Sequence, residues 1–118
     1  MNAEYHGIYA ALVTPYTSEG KVDYKELQKL VNYLIEKGLD GFYVNGSTAE
    51  AFLLSEEERN NIIKAVVEAN AGRKKVICHV GAISTDQAIG YAKNVEKWGF
   101  SQSYPRYPHF WCKKTWFT

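Results

Sequence analysis

The chain has 118 residues, 46% of them hydrophobic and 23% charged, with a net charge of +1. That length holds one small domain, and the balance is that of an ordinary globular protein without the broad basic field that nucleic acid or an acidic membrane would require. No apolar run approaches the roughly 18 residues needed to span a bilayer.

The N-terminus, Met1-Asn2-Ala3-Glu4-Tyr5-His6, lacks the basic and apolar regions of a secretory signal. Neither Cys78 nor Cys112 belongs to a Cys-x-x-Cys pair. A reducing cytoplasm is the resulting expectation.

Short apolar runs occupy residues 8–13, 41–44 and 76–80, so their starts lie 33 and 35 residues apart. Each is continuous rather than alternating, as in strands covered on both faces. Helix-period segments separate them. Asp23 with Glu26 reads as an N-cap and its capping-box partner, followed by a stripe of Leu27, Leu30, Val31 and Leu34 and a stop at Gly38. Ser55 to Glu58 reads as a second capping box, with Ile62, Ile63, Val66 and Val67 inward and Gly72 after the end. A third helix is expected from about Ser84-Thr85-Asp86, with Ala88, Ile89, Ala92 and Val95 inward and Gly99 at its end.

The rhythm is β-α-β-α-β-α, which implies a parallel α/β sheet with right-handed crossovers. Either an open doubly wound sheet or a (β/α)8 barrel satisfies it. Residues 1–100 carry three of the eight units that a barrel needs. Three units without an opposite wall would leave Ala11, Val13, Tyr43 and Val44 under-buried.

Residues 101–118 break the rhythm: six of the eighteen are aromatic, none is acidic, and Pro105 and Pro108 fall where a fourth strand should run. Central strands exclude such prolines. This tail reads as a separate aromatic and basic segment of the kind that a shifted reading frame produces.

Ligands of parallel βα folds bind on the loops at the carboxyl ends of the strands, here residues 14–22, 45–54 and 81–84. The second loop reads Asn45-Gly46-Ser47-Thr48-Ala49-Glu50. Gly46 suits a tight turn, and Ser47 and Thr48 offer two hydroxyls and two successive N–H groups. They suit a small carboxylate or phosphate, although local sequence alone favours an ordinary turn cap. Tyr9, Tyr16 and Tyr43 read as core packing, and His79 as a packed histidine without metal-ligand spacing.

The segments 10–16 (Ala-Ala-Leu-Val-Thr-Pro-Tyr), 41–50, 54–59 (Leu-Ser-Glu-Glu-Glu-Arg) and 79–85 are similar, in order and spacing, to motifs of one family. That family is the N-acetylneuraminate lyase and dihydrodipicolinate synthase group of Schiff-base pyruvate aldolases. The resemblance implies that the chain is the first three βα units of a truncated (β/α)8 TIM barrel. Gly46-Ser47-Thr48 with Glu50-Ala51-Phe52 resembles the lyase branch, which splits N-acetylneuraminate into N-acetylmannosamine and pyruvate. Ala49 departs from the family's usual glycine.

By the same resemblance Ser47 and Thr48 bind the pyruvate carboxylate, while Gly46 and Glu50 shape the loop. The imine-forming lysine and the proton-relaying tyrosine belong to later strands. The sixth strand would fall near residue ~175 if the barrel's repeat continues. No catalytic residue is therefore expected in this chain, and the chain alone is expected to be inactive, as a truncated remnant would be. The resemblance implies no metal and no organic cofactor, no nucleic-acid or membrane partner, and a homo-tetramer for a full-length member. A synthase condensing pyruvate with an aldehyde is the alternative within the family.

Overall fold

A computed structural model describes residues 6–98. The predicted tail at 101–118 and the helix stop at Gly99 lie outside the described residues. Within them the order is β1 (Tyr9–Ala11), α1 (Tyr24–Glu36), β2 (Gly41–Val44), α2 (Glu56–Asn70), β3 (Lys75–Cys78) and α3 (Thr85–Glu96). The strands are parallel and lie side by side in chain order. Ala11 pairs with Tyr43, and Val44 with Cys78. Bonds from the Leu12 N–H to the Tyr43 carbonyl (3.0 Å) and from the His79 N–H to the Val44 carbonyl (2.8 Å) extend both ladders toward the loops.

Local chemistry sets the helix starts. The Asp23 carboxylate accepts from the Glu26 N–H at 3.0 Å, but Glu26 does not complete the expected box. Its Oε1 instead accepts from Lys29 Nζ at 2.6 Å, one turn along the helix. At α2 the box is complete: Ser55 Oγ accepts from the Glu58 N–H and Glu58 Oε1 accepts from the Ser55 N–H. Ser84 caps α3 through the Gln87 N–H. Gly38 ends α1 at φ +89°, a conformation open to glycine.

The helices cover one face of the sheet. Leu27 and Val31 of α1, Ile62, Ile63 and Val66 of α2, and Val95 of α3 enclose Phe42, Val44, Val76, Cys78 and Val80. Tyr91, absent from the expected stripe of α3, is buried as well, whereas Ile89 and Ala92 are only half-buried. The other face is open, with Ala11 exposed, Val13 50% exposed and Tyr43 half-buried. Val44 corrects the expectation: it is 1% exposed, because strand alternation turns Phe42 and Val44 to the helices and Tyr43 away.

Deleting a buried aromatic forfeits both transfer free energy and packing. Phe42→Ala is expected to destabilise the chain by about 3–5 kcal/mol in urea denaturation. Val13→Ala, on the open face, should stay within about 0.5 kcal/mol. Equal losses would show that the open face is packed in solution.

Burial pushes the Cys78 thiol from its usual 9 up to about 12, with partial relief from the Arg59 charge. A pKa raised on folding makes ionisation easier in the unfolded chain. The stability this thiol contributes is therefore complete below pH 9 and declines as pH climbs from 9 toward 12. Urea midpoints should fall across that window, and Cys78→Ala should flatten the fall. An unchanged slope in the variant would exclude this origin.

Candidate functional site

The three βα loops converge at the carboxyl edge of the sheet, and the second is the most constrained. It leaves β2 through Asn45, which adopts a left-handed conformation at φ 59°. For a residue with a side chain that conformation persists only where neighbours impose it. Here two bonds hold Asn45 itself, within a circuit of four that includes Arg59 and His79. Asn45 Nδ2 donates to the Arg59 carbonyl at 3.0 Å. The Arg59 guanidinium donates from Nη1 to the Gly81 carbonyl and from Nη2 to the His79 carbonyl, both at 3.0 Å. His79 Nδ1 closes the circuit by donating to the Asn45 carbonyl at 2.6 Å, which fixes a proton on Nδ1.

All three residues are buried: Asn45 is 1%, Arg59 2% and His79 4% exposed. The guanidinium also lies 3.8 Å from the centroid of the Tyr91 ring, a cation–π contact. His79 is thus a packed residue, flanked by Tyr43 and by the edge-on ring of Phe52. A Cβ at Gly81 would lie 2.4 Å from His79 Nε2, so the imidazole fits only above a glycine.

Beyond Asn45 the chain makes a tight turn. The Gly46 carbonyl accepts from the N–H groups of Ala49 (3.1 Å) and Ala51 (3.4 Å), and the Ser47 carbonyl accepts from Glu50 (2.9 Å). Gly46 is not needed for a positive φ. It is needed because a Cβ there would lie 2.5 Å from the Tyr43 ring. Ser47 and Thr48 sit side by side and exposed at the carboxyl end of β2. Among the described residues their N–H groups meet no backbone carbonyl.

Ala49 is buried and does not take a left-handed angle; Glu50 does, at φ 60°. Ala49 therefore carries its methyl without strain. Glu50 makes no side-chain bond to the short 3-10 turn that follows it at Ala51–Leu53. Its carboxylate faces Tyr16 instead. Burial first, then the charge and hydrogen bonding of Glu50, raise the Tyr16 hydroxyl above its usual range. Tyr16 is 41% exposed and stands at the rim of the site, contrary to the core role expected for it. Tyr43 is half-buried, and burial pushes its hydroxyl up to about 12.

Thr14, Asn45 and Arg59 are polar residues whose roles were not assigned from sequence. Buried Thr14 Oγ1 donates to the Ala49 carbonyl at 2.7 Å, tying the first loop to the second. The signal for Arg59 was available, because Arg59, Ile62, Ile63 and Val66 share one helical stripe, and a charge on an apolar stripe needs a buried partner. Lys74 and Lys75 lie at the amino end of β3, away from these loops.

Parallel strands in chain order, with helices on one face and loops gathered at one edge, are the arrangement of a βα-barrel segment, a fold class whose ligand sites lie on those loops. Residues 4–114 match the model of the dihydrodipicolinate synthetase family, and the chain belongs to that family. It is 41% identical to N-acetylneuraminate lyase 2 of Escherichia coli O6:H1 over 100 residues, which are 85% of this chain and 33% of the relative.

The N-acetylneuraminate lyase of Mycoplasma synoviae superposes with a TM-score of 0.77 at 37% identity, over 81% of this chain and 34% of that one. The dihydrodipicolinate synthase of Acinetobacter baumannii, solved with pyruvate, gives 0.76 at 39% identity over 79% and 32%. The chain thus spans about a third of the length of these relatives and forms the N-terminal part of the family's TIM barrel.

The circuit around Asn45 predicts a graded effect. Asn45→Gly keeps the left-handed backbone but strands a buried carbonyl, at a cost of about 1–3 kcal/mol. Asn45→Ala adds the left-handed penalty, a further ~1–2 kcal/mol. Urea denaturation of both variants should show alanine as the worse substitution. The reverse order would mean that the left-handed backbone at residue 45 carries no such penalty.

Proposed function

We propose that the chain supplies the pyruvate-carboxylate-binding loop of a lyase that cleaves N-acetylneuraminate to N-acetylmannosamine and pyruvate through a lysine Schiff base. The observation that carries this reading is the exposed Ser47–Thr48 pair at the carboxyl end of β2. Its two N–H groups meet no backbone carbonyl among the described residues. Two N–H groups and two hydroxyls in succession form a concavity suited to a carboxylate. The curated relatives named N-acetylneuraminate lyase support the choice of substrate. Dihydrodipicolinate synthases superpose equally well, so a pyruvate–aldehyde condensing enzyme is the second reading.

In this reaction an imine between pyruvate and lysine acts as the electron sink for carbon–carbon cleavage, and a tyrosine relays the proton. Both groups would come from βα units beyond the third of the barrel matched here. Ser47 and Thr48 bind and orient, and this chain by itself carries out no turnover. No metal or organic cofactor enters the scheme.

Two measurements test it. Pyruvate added to the 15N-labelled chain should shift the Ser47 and Thr48 amides, and Ser47→Ala should weaken that response about tenfold, the loss of one hydrogen bond to a charged group. Borohydride treatment with pyruvate should leave the mass of the chain unchanged. Shifts confined to other residues would sink the binding role, and a stoichiometric reduced adduct on a lysine would sink the assignment of the chemistry to later units of the barrel. Substrate choice can be read from a barrel in which residues 6–98 replace the matching third of the Mycoplasma lyase. The later units of that chimaera are the lyase's own, so undiminished cleavage of N-acetylneuraminate supports the lyase reading, and lost cleavage with retained pyruvate binding supports the synthase.

A further inference from the structure

We propose that Arg59 is the positioning residue of the Ser47–Thr48 loop, a role that rests on the carboxylate-binding reading above. Arg59 touches neither Ser47 nor Thr48 through any bond described. It acts through Asn45, the residue at which the loop turns away from β2. The guanidinium fork holds the carbonyls of His79 and Gly81, two residues apart at the end of β3. The Arg59 carbonyl holds the Asn45 amide, and His79, fixed in turn by Arg59, holds the Asn45 carbonyl.

Asn45 is thereby gripped at its side chain from α2 and at its backbone from the residue that follows β3. Gly46, Ser47 and Thr48 follow with no freedom at their origin. Mere filling of space would not require a fork. A lysine has the charge and much of the length, but its ammonium is a single point and cannot reproduce two coplanar donors. It also cannot stack on Tyr91 as a plane does. Gly81 belongs to the same device, since any side chain there would drive the His79 ring off Asn45.

The test uses the full 118-residue chain and Arg59→Lys. Amide hydrogen exchange should accelerate at least tenfold at residues 44–50 and 79–82, with α1 and β1 unchanged. The His79 ring nitrogens should lose the separated signals of a fixed Nδ1–H tautomer. The pyruvate response of Ser47 and Thr48 should weaken at least tenfold. Wild-type exchange and an intact ring signature in Arg59→Lys would overturn the proposal, as would acceleration spread evenly over every element.

Should Arg59→Lys fail to fold, Tyr91→Leu removes the ring beneath the guanidinium while leaving Asn45 and the Arg59 carbonyl in place. Loosening confined to the same two segments then supports the proposal, and its absence refutes it. If pyruvate leaves the unsubstituted chain unmoved, the carboxylate role falls, while exchange and the ring signature still decide whether Arg59 sets the loop.

Discussion

A buried guanidinium is the constraint on which the rest of this structure turns. Removing a cation from water costs several kcal/mol, so Arg59 stays 2% exposed only because its surroundings replace hydration. The carbonyls of His79 and Gly81 supply acceptors, and the Tyr91 ring supplies a negative face. Those partners come from the segment just after β3 and from α3. The side chain itself starts from α2, where the Ser55–Glu58 capping box fixes the helix register one turn earlier. A one-residue slip of that cap would swing Arg59 by about 100° around the helix and separate the charge from its acceptors. The cap, though local and exposed, therefore sets a buried contact that joins two βα units.

The first unit is tied in separately. Thr14 donates to the Ala49 carbonyl across 2.7 Å in a buried setting, and the charge of Glu50 acts on the Tyr16 hydroxyl. These contacts engage the far end of the same loop whose near end Asn45 holds. Neither needs the helical core. They depend on the parallel register that sets Ala11 beside Tyr43, which brings the ends of β1 and β2 level. Register, not loop composition, decides that Thr14 reaches Ala49.

What the sequence made legible follows the range of each interaction. Strands and helices came from periodicity and caps, which operate within a few residues, and their order implied the parallel sheet. Residue facing was harder. A continuous run such as Phe42-Tyr43-Val44 hides its alternation, so Val44 was assigned to the open side although it packs on helices. At Gly46 the local sequence suggests a conformational requirement, but the constraint is steric, from a tyrosine three residues earlier. Ser47 and Thr48 were visible as a polar pair, but nothing local disclosed what holds them. Thr14, Asn45, Arg59 and His79 contact one another or the loop across separations of 14 to 35 residues. Such partners emerge only from the assembled sheet.

The alanine at position 49, where the family's motif has glycine, shows how that assembly distributes strain. A left-handed residue at 49 would have made a methyl costly. The loop instead places its two left-handed steps at Asn45 and Glu50, one on each side of Gly46-Ser47-Thr48-Ala49. Each step is held differently: Asn45 from α2 and the residue after β3, and Glu50 by its N–H bond to the Ser47 carbonyl and its carbonyl bond from the Leu53 N–H. Ala49 lies between them, its methyl buried and its carbonyl held by Thr14. Strain of about 1–3 kcal/mol per left-handed residue is thus sited where neighbours over-determine the backbone. The exposed Ser47–Thr48 pair is left with ordinary angles and available donors. No single βα unit could build that arrangement, because its two ends are fixed by two different neighbours.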